Sequence, residues 1–210
     1  AYRAGDLASA LSLADRAMAT AEAEAPSRAV IVAAAVLQQR GLSPAAAQLF
    51  QWLGPSRIRS HGAAAALTLY GVGQPAEASE MLAAAGAEPP TVRSSAERLL
   101  AEGIADSMAG HTASALGSMT SAVSIVESLG PSPIAGDSPA ALTALLALNC
   151  GEFATAQSVL EQGMRAQIGG AAASARHQLI LAWTAMLQGR EQVAREMLAD
   201  IGESHLVLVG

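Results

Sequence analysis

The stretch Gly151-Glu152-Phe153-Ala154-Thr155-Ala156 places an alanine five residues after a glycine, and this pair decides the fold. This glycine–alanine pair occurs six times along the 210-residue chain, at intervals of 32 to 41 residues. Five of the six copies also place a large apolar residue nine positions after the glycine. Offsets of five and nine lie on one face of a helix, so each glycine is expected to precede an amphipathic helix. The pairs are Gly5/Ala10, Gly41/Ala46, Gly73/Ala78, Gly110/Ala115, Gly151/Ala156 and Gly189/Ala194.

A helix is also expected before each glycine. Seven positions before the last five glycines stand only small residues, namely Ala34, Ala66, Gly103, Ala144 and Ala182. Small residues on both helices allow an antiparallel pair to approach closely, and the glycine reverses the chain between them. Such hairpins bury their apolar faces only by stacking on one another. The pattern therefore predicts an all-α fold of about 11 helices, with a lone helix over about residues 6–24 followed by five hairpins.

These residues resemble the tetratricopeptide repeat, which has a small residue in its first helix and small–large–small positions in its second. The copies that begin at Gly5 and Gly151 match best. The usual Trp and Tyr of the first helix are missing, and four of the five intervals exceed the family's 34 residues. Longer repeats of this kind are similar to the sensor solenoid of MalT-like, ATP-dependent regulators of the LuxR type. The resemblance implies that residues 1–210 form one solenoid domain, a right-handed superhelix of helix hairpins.

Composition and charge exclude several classes of protein. Hydrophobic residues make up 51% of the chain and aromatic residues only 3%, which favours an alanine- and leucine-rich helical core over a large sheet. The net charge of −6, with no basic stripe, argues against contact with nucleic acid. No apolar run reaches the length of about 20 residues that a membrane span needs. The single cysteine, Cys150, rules out a disulfide framework, so we expect a reducing, cytoplasmic location.

No motif in the sequence points to catalysis, a metal or a cofactor. Residues 71–76 match a dinucleotide-binding fingerprint, but a helix is expected before them where that motif needs a strand. The four histidines lack metal-site spacing. Cys150 has no histidine near it in sequence, so a buried structural thiol is expected rather than a nucleophile. We therefore predict no catalytic residue, no metal site and no cofactor.

The first helix of each hairpin lines the concave groove in solenoids of this kind, and an apolar groove with a few polar groups suits a ligand or partner. The groove lacks the devices that hold extended peptides in tetratricopeptide domains, because the chain has one asparagine and no lysine. Projecting the repeat onto these helices gives the candidate binding residues Arg28, Gln38, Tyr70, Glu97, Arg176 and Trp183. His177, which lies beside Arg176 on the same helix, is a further candidate.

Two functions remain open at this point. The resemblance implies a non-catalytic sensor domain of a bacterial transcriptional regulator, which binds a small-molecule inducer such as a sugar, or a partner protein. The alternative is a protein-binding scaffold without a small ligand. Neither reading requires membrane or nucleic-acid contact by this segment, and self-association fits both. Because the chain begins at Ala1 inside an expected helix, we expect it to be part of a longer polypeptide.

Overall fold

The computed structural model describes residues 7–19, 25–58, 61–85, 91–129 and 137–201. Within these ranges the fold is all-α, as predicted, and contains no strand. None of the described helices is both long enough and apolar enough to cross a membrane. The twelve helices in the described ranges are α1 (Leu7–Ala19), α2 (Ala25–Gln39), α3 (Ser43–Leu53), α4 (Pro55–Ile58), α5 (Gly62–Gly71), α6 (Pro75–Ala84), α7 (Val92–Met108), α8 (Thr112–Glu127), α9 (Pro139–Asn149), α10 (Phe153–Arg165), α11 (Gly170–Leu187) and α12 (Glu191–Ile201).

The twelfth helix, beyond the expected eleven, is the single turn α4. It arises because Gly54 ends α3 with φ at +74°, and Pro55 then starts a new turn with its φ already near the helical value. The side chain of Ile58 at its end is fully buried, so packing holds this turn in place. The expected lone helix corresponds to α1, and residues 20–24 lie outside the described ranges.

The same turn joins the two helices of every hairpin. The glycine in each turn has φ between +73° and +82°, a conformation that a residue with a Cβ rarely adopts. The residue after it donates its backbone N–H to the carbonyl five residues back, at 2.8 or 2.9 Å, as in a Schellman motif. The glycines are Gly41, Gly73, Gly110, Gly151 and Gly189, and the carbonyls belong to Leu37, Leu69, Asp106, Ala147 and Ala185.

Small residues lie where the paired helices meet. The residues seven before and five after each turn glycine are all buried in the five hairpins. A close approach involves Gly103 in α7, where an added Cβ would lie 2.4 Å from Met119 Cγ and 3.1 Å from the Ala115 carbonyl oxygen in α8. A larger residue at such a position would push the helices apart. The buried alanines of the second helices are Ala46, Ala78, Ala115, Ala156 and Ala194.

The chain divides into two compact units, with the division falling inside α7 between Ala101 and Glu102. In the first unit α1 packs on α2, α2 on α3, α3 on α5 and α5 on α6. Its core contains Val30, Phe50, Ile58, Leu69 and Met81. In the second unit each helix from α8 to α12 packs on the next, and α8 also contacts α10 as α9 contacts α11. Its core joins α9, α10 and α11 through a cluster that includes Ala144, Leu148, Val159, Leu160, Ile180 and Leu181.

The packing of α10 predicts opposite outcomes for two glycine substitutions. An added Cβ on Gly163 would lie 2.7 Å from Ala140 Cβ in α9 and 3.2 Å from His177 Cε1 in α11. We expect Gly163→Ala to lower the free energy of unfolding by about 1–3 kcal/mol, measured by urea denaturation. The control Gly117→Ala, on an open face of α8 with nothing within 4 Å, should raise it by about 0.5–1 kcal/mol. Equal effects of the two substitutions would contradict the close packing of α10.

Candidate binding site on α11

A strip of apolar side chains runs along the exposed side of α11. Leu179, Trp183, Met186 and Leu187, which we call the α11 strip, are spaced so that they share one face of the helix. Trp183 is 47% exposed, Met186 54% and Leu187 49%. The opposite side of α11 is buried in the core of the second unit. About half of each of these three side chains is already buried, so burying the rest would contribute about 1 kcal/mol for each one. The strip is therefore a candidate for contact with another molecule.

The repeat shows that a neighbouring helix covers the corresponding surface elsewhere. Leu198 in α12 stands nine residues after its turn glycine and is 43% exposed. The residues at the same place in three earlier hairpins, Phe50, Met119 and Leu160, are at most 2% exposed. Leu160 lies in one core cluster with residues of α11, the first helix of the following hairpin. Leu198 therefore leaves open on α12 an apolar position that is covered in those earlier hairpins.

A polar cluster fixes the first half of α11 to the start of α9. Ser138 Oγ lies 2.7 Å from His177 Nε2, and both residues are buried. Arg176, the preceding residue of α11, forms an ion pair with Asp137. The Asp137 carboxylate also accepts a hydrogen bond of 2.8 Å from the backbone N–H of Ser138. Two consecutive residues before α9 thus bind two consecutive residues of α11.

Ser138 is the N-cap residue of α9, but its hydroxyl does not cap the helix. Serine is among the best N-cap residues, and its hydroxyl usually accepts a bond from a backbone N–H in the first turn. Here the hydroxyl contacts His177 instead. The other ring nitrogen of His177, Nδ1, is buried and has no hydrogen-bond partner among the described residues. The bond to Ser138 is therefore the one polar contact that the imidazole makes with the described part of the chain.

Burial keeps His177 neutral. It lowers the pKa of His177 from 6.5 to about 4, while the negative charge of Asp137 acts to raise this pKa and the positive charge of Arg176 to lower it. The folded state therefore binds protons less well than the unfolded state. The stability that neutral His177 contributes is complete above pH 6.5 and is lost as the pH falls toward 4.

The candidate residues of the first unit form contacts within that unit. Gln38 Nε2 donates a hydrogen bond of 3.0 Å to Thr68 Oγ1 and so joins α2 to α5. The Tyr70 hydroxyl lies 3.4 Å from Ser79 Oγ, on the paired helix α6. Arg28 lies in α2, but its side chain is outside the described residues. Of the seven candidates, α11 brings together three, namely Arg176, His177 and Trp183.

Three expectations about exposure were wrong. Glu97 and His177 do not face an accessible groove, because they are 8% and 0% exposed. Helical spacing shows which residues share a face, but it does not show which neighbouring helix covers that face. Cys150, expected to be buried, is exposed because it lies in the turn after α9, just before Gly151.

The alanines of the repeat offer no surface to a ligand or partner. Each is at most 1% exposed, because it lies inside its hairpin where the two helices meet. These positions therefore belong to helix packing and are separate from any binding site. They are Ala46, Ala78, Ala115, Ala156 and Ala194.

Sequence reasoning missed Asp137 and Ser138, the two residues that precede α9. The Ser138–Pro139 pair is a helix-start signal that could have identified the N-cap residue. No local signal identifies its contact with His177, which lies 39 residues away in sequence. Leu187, at the end of the α11 strip, was also missed.

Exposure of Trp183 is directly measurable. In a Trp52→Phe background, where Trp183 is the only tryptophan, we expect ready quenching of its fluorescence by acrylamide because the indole is 47% exposed. The reverse background, Trp183→Phe, is the matched control, since Trp52 is 58% exposed. Strong protection of Trp183 relative to Trp52 would show that the α11 strip is covered.

Glu97 predicts a pH dependence in the first unit. Burial raises its pKa from 4.5 to about 7, against the opposing effect of the positive charge of Arg93. Stability is therefore greatest below pH 4.5 and falls as the pH rises to about 7. We expect Glu97→Gln to remove this fall and to be up to about 3 kcal/mol more stable than the original chain at pH 8, by urea denaturation. The control Glu80→Gln, at an exposed position on α6, should leave the pH profile unchanged.

The described ranges contain no group of three or more histidine, cysteine, aspartate or glutamate side chains that could hold a metal ion. No protein-family model matches the chain, and no curated protein matches it at a significant level. The choice of a function therefore depends on the geometry of α11 and the helices around it.

Proposed function

We propose that this chain is a non-catalytic, tetratricopeptide-like helical-repeat module that binds a helix of a partner protein on the outer surface of its α11–α12 hairpin. The observation that carries the proposal is the exposed α11 strip, together with the exposure of Leu198 at a position that is buried in three earlier hairpins. Apolar surface of this kind gains free energy when a partner removes it from water.

The solenoid arrangement is part of the proposal. It is supported by the five glycine turns, which share one backbone geometry and one hydrogen-bond pattern. It is also supported in the second unit by contacts between successive helices and between every second helix, α8 with α10 and α9 with α11. Stacked hairpins require contacts of both kinds.

A helix is the occupant that the repeat favours. Where α11 packs on α10, Leu160 and Gly163 of α10 lie against the side of α11 that carries His177, Ile180 and Leu181. On α12 the position that corresponds to Leu160 is Leu198, which is 43% exposed, whereas Ile201, at the position of Gly163, is already buried. An incoming helix with apolar residues at helical spacing would continue the same packing, with its axis running along the hairpin as α11 runs along α10.

The charge of α12 indicates which kind of helix would bind there. The sequence of α12 contains three acidic residues, Glu191, Glu196 and Asp200, and a single arginine, Arg195. Glu191 and Glu196 are both exposed, and Arg195 pairs with Glu191 at 2.9 Å. Arginine or lysine beside the apolar face of the partner would complement the excess of negative charge on this helix. The proposed partner is therefore a basic amphipathic helix.

The resemblance to MalT-like regulators favours a role for this binding in controlling the activity of a regulator. In a regulator, a partner that prefers one of two states shifts the equilibrium toward that state. A small-molecule inducer acting on the same chain is the second candidate, and the experiment below separates the two.

The test is titration with a synthetic helix. The probe is a stapled peptide with leucine and alanine on one face and arginine at the flanks, and its affinity is measured by calorimetry. Trp183→Ser should weaken binding by about tenfold or more, as expected for a central aromatic contact. Trp52→Ser removes an equally exposed indole from α3 and should change the affinity less than about twofold.

Three outcomes would contradict the proposal. The first is equal binding by the Trp183→Ser and Trp52→Ser variants. The second is no peptide binding, accompanied by a rise in melting temperature with a sugar, which would favour a small-molecule sensor. The third is concentration-dependent self-association that Trp183→Ser abolishes, seen by sedimentation, which would make a second copy of the chain the occupant.

A further inference from the structure

The Ser138–His177 hydrogen bond connects two helices, and we call this contact the clasp. It is a buried bond of 2.7 Å between residues 39 apart in sequence, and it joins the N-terminus of α9 to the first half of α11. Small residues make room for it, since Gly163 lies against the imidazole and Gly169 lies near Ser138. Both side chains are buried, so breaking their contact requires movement of the groups packed around them.

Protonation cannot be accommodated in this arrangement. A neutral imidazole needs one donor and one acceptor contact, whereas an imidazolium has an N–H on both nitrogens. In the imidazolium Nε2 would donate to Ser138 Oγ, but the N–H on Nδ1 would be buried without a partner among the described residues. A charged N–H buried without an acceptor is strongly unfavourable.

The charged groups around His177 do not offset this cost. Asp137 precedes α9 and Arg176 precedes His177 on its own helix, and these two side chains pair with each other. Their effects on the pKa of His177 are opposite in sign, so burial determines the result. α9 approaches the ring through Ser138 and α10 through Gly163, and neither residue carries a charge.

When the Ser138–His177 hydrogen bond breaks, another hydrogen-bond partner is available to the Ser138 hydroxyl. Ser138 has the extended backbone of an N-cap residue, with φ at −64° and ψ at 135°. Once separated from His177, its hydroxyl can accept a backbone N–H in the first turn of α9. The Ser138 hydroxyl therefore has a hydrogen-bond partner in two states. In one it is bound to His177, and in the other it caps α9. An element with two such states can be biased by a single proton.

We propose that the Ser138–His177 contact is a proton-sensitive clasp, which holds α11 against the start of α9 when His177 is neutral and releases it when His177 is protonated in mild acid. The α11 strip begins two residues after His177, so release reduces the fraction of molecules in which the strip is correctly held. Partner affinity then falls in proportion to that fraction. This last step rests on the proposed function, whereas the clasp itself does not.

Native-state hydrogen exchange tests the clasp without a partner. We expect the protection factors of α9 and α11 amides, corrected for intrinsic exchange, to fall by about 30-fold between pH 6.5 and pH 4.5 in the original chain. His177→Gln keeps an N–H that can donate to Ser138 but cannot titrate, so its protection should be independent of pH in this range. The matched control is His111→Gln, which changes an exposed histidine in the same unit and should retain the full fall.

A second measurement needs no substitution. In the unaltered chain, the imidazole NMR signals of His177 should remain those of the neutral ring until the α9 and α11 amides lose protection. Titration of His177 near pH 6.5 with protection unchanged would overturn the clasp. So would an equal pH dependence in the His177→Gln and His111→Gln variants.

The peptide probe separates the clasp from the proposed function. If both hold, the peptide binds more weakly at pH 5 than at pH 7, and His177→Gln removes the difference. If the peptide fails to bind at either pH while protection still depends on His177, the proposed function fails and the clasp stands. If the peptide binds equally at both pH values and protection is constant, the clasp fails alone.

Discussion

The close approach of paired helices at small residues is the constraint on which the rest of this structure depends. Each hairpin places a glycine or alanine seven residues before the turn and an alanine five residues after it, and all of these are buried. Between α7 and α8 the gap is so narrow that a single methyl group on Gly103 would collide with Met119. The turn glycines must adopt positive φ to bring the helices this close. The geometry of the turn and the spacing of the two helices are therefore set together, by one small residue on each helix and the glycine between them.

This constraint determines where the larger apolar side chains can be buried. Small residues such as Ala46, Ala78 and Ala194 fill the space within a hairpin, so side chains such as Phe50 and Leu160 point outward and depend on a neighbouring helix for burial. In the second unit α11 covers Leu160 of the preceding hairpin in this way. On α12 the corresponding residue, Leu198, is 43% exposed in the described part of the chain. The proposed partner site follows from the way the hairpins are built.

The sequence was sufficient to predict what is local and periodic. The all-α class and the places of the five hairpins followed from offsets fixed by helix geometry, and the glycines lie at positive φ where the turns were placed. The surroundings of each helix could not be obtained in this way. Glu97 has the spacing of a groove residue and His177 lies beside one, but both side chains are buried. The partner of His177 is a serine 39 residues away, and no periodic pattern connects the two.

The two buried titratable groups impose opposite pH dependences on the two units. In the first unit, burial favours the protonated form of Glu97 and raises its pKa to about 7, so that acid stabilises this unit. In the second unit, burial favours the deprotonated form of His177 and lowers its pKa to about 4, so that acid destabilises it. In both cases the cost avoided is that of a buried charge. Mild acid therefore acts selectively on the unit that carries the α11 strip, because the same drop in pH that loosens the second unit strengthens the first. A pH-dependent change in partner binding would then arise from local release at α9 and α11 and not from general unfolding of the chain.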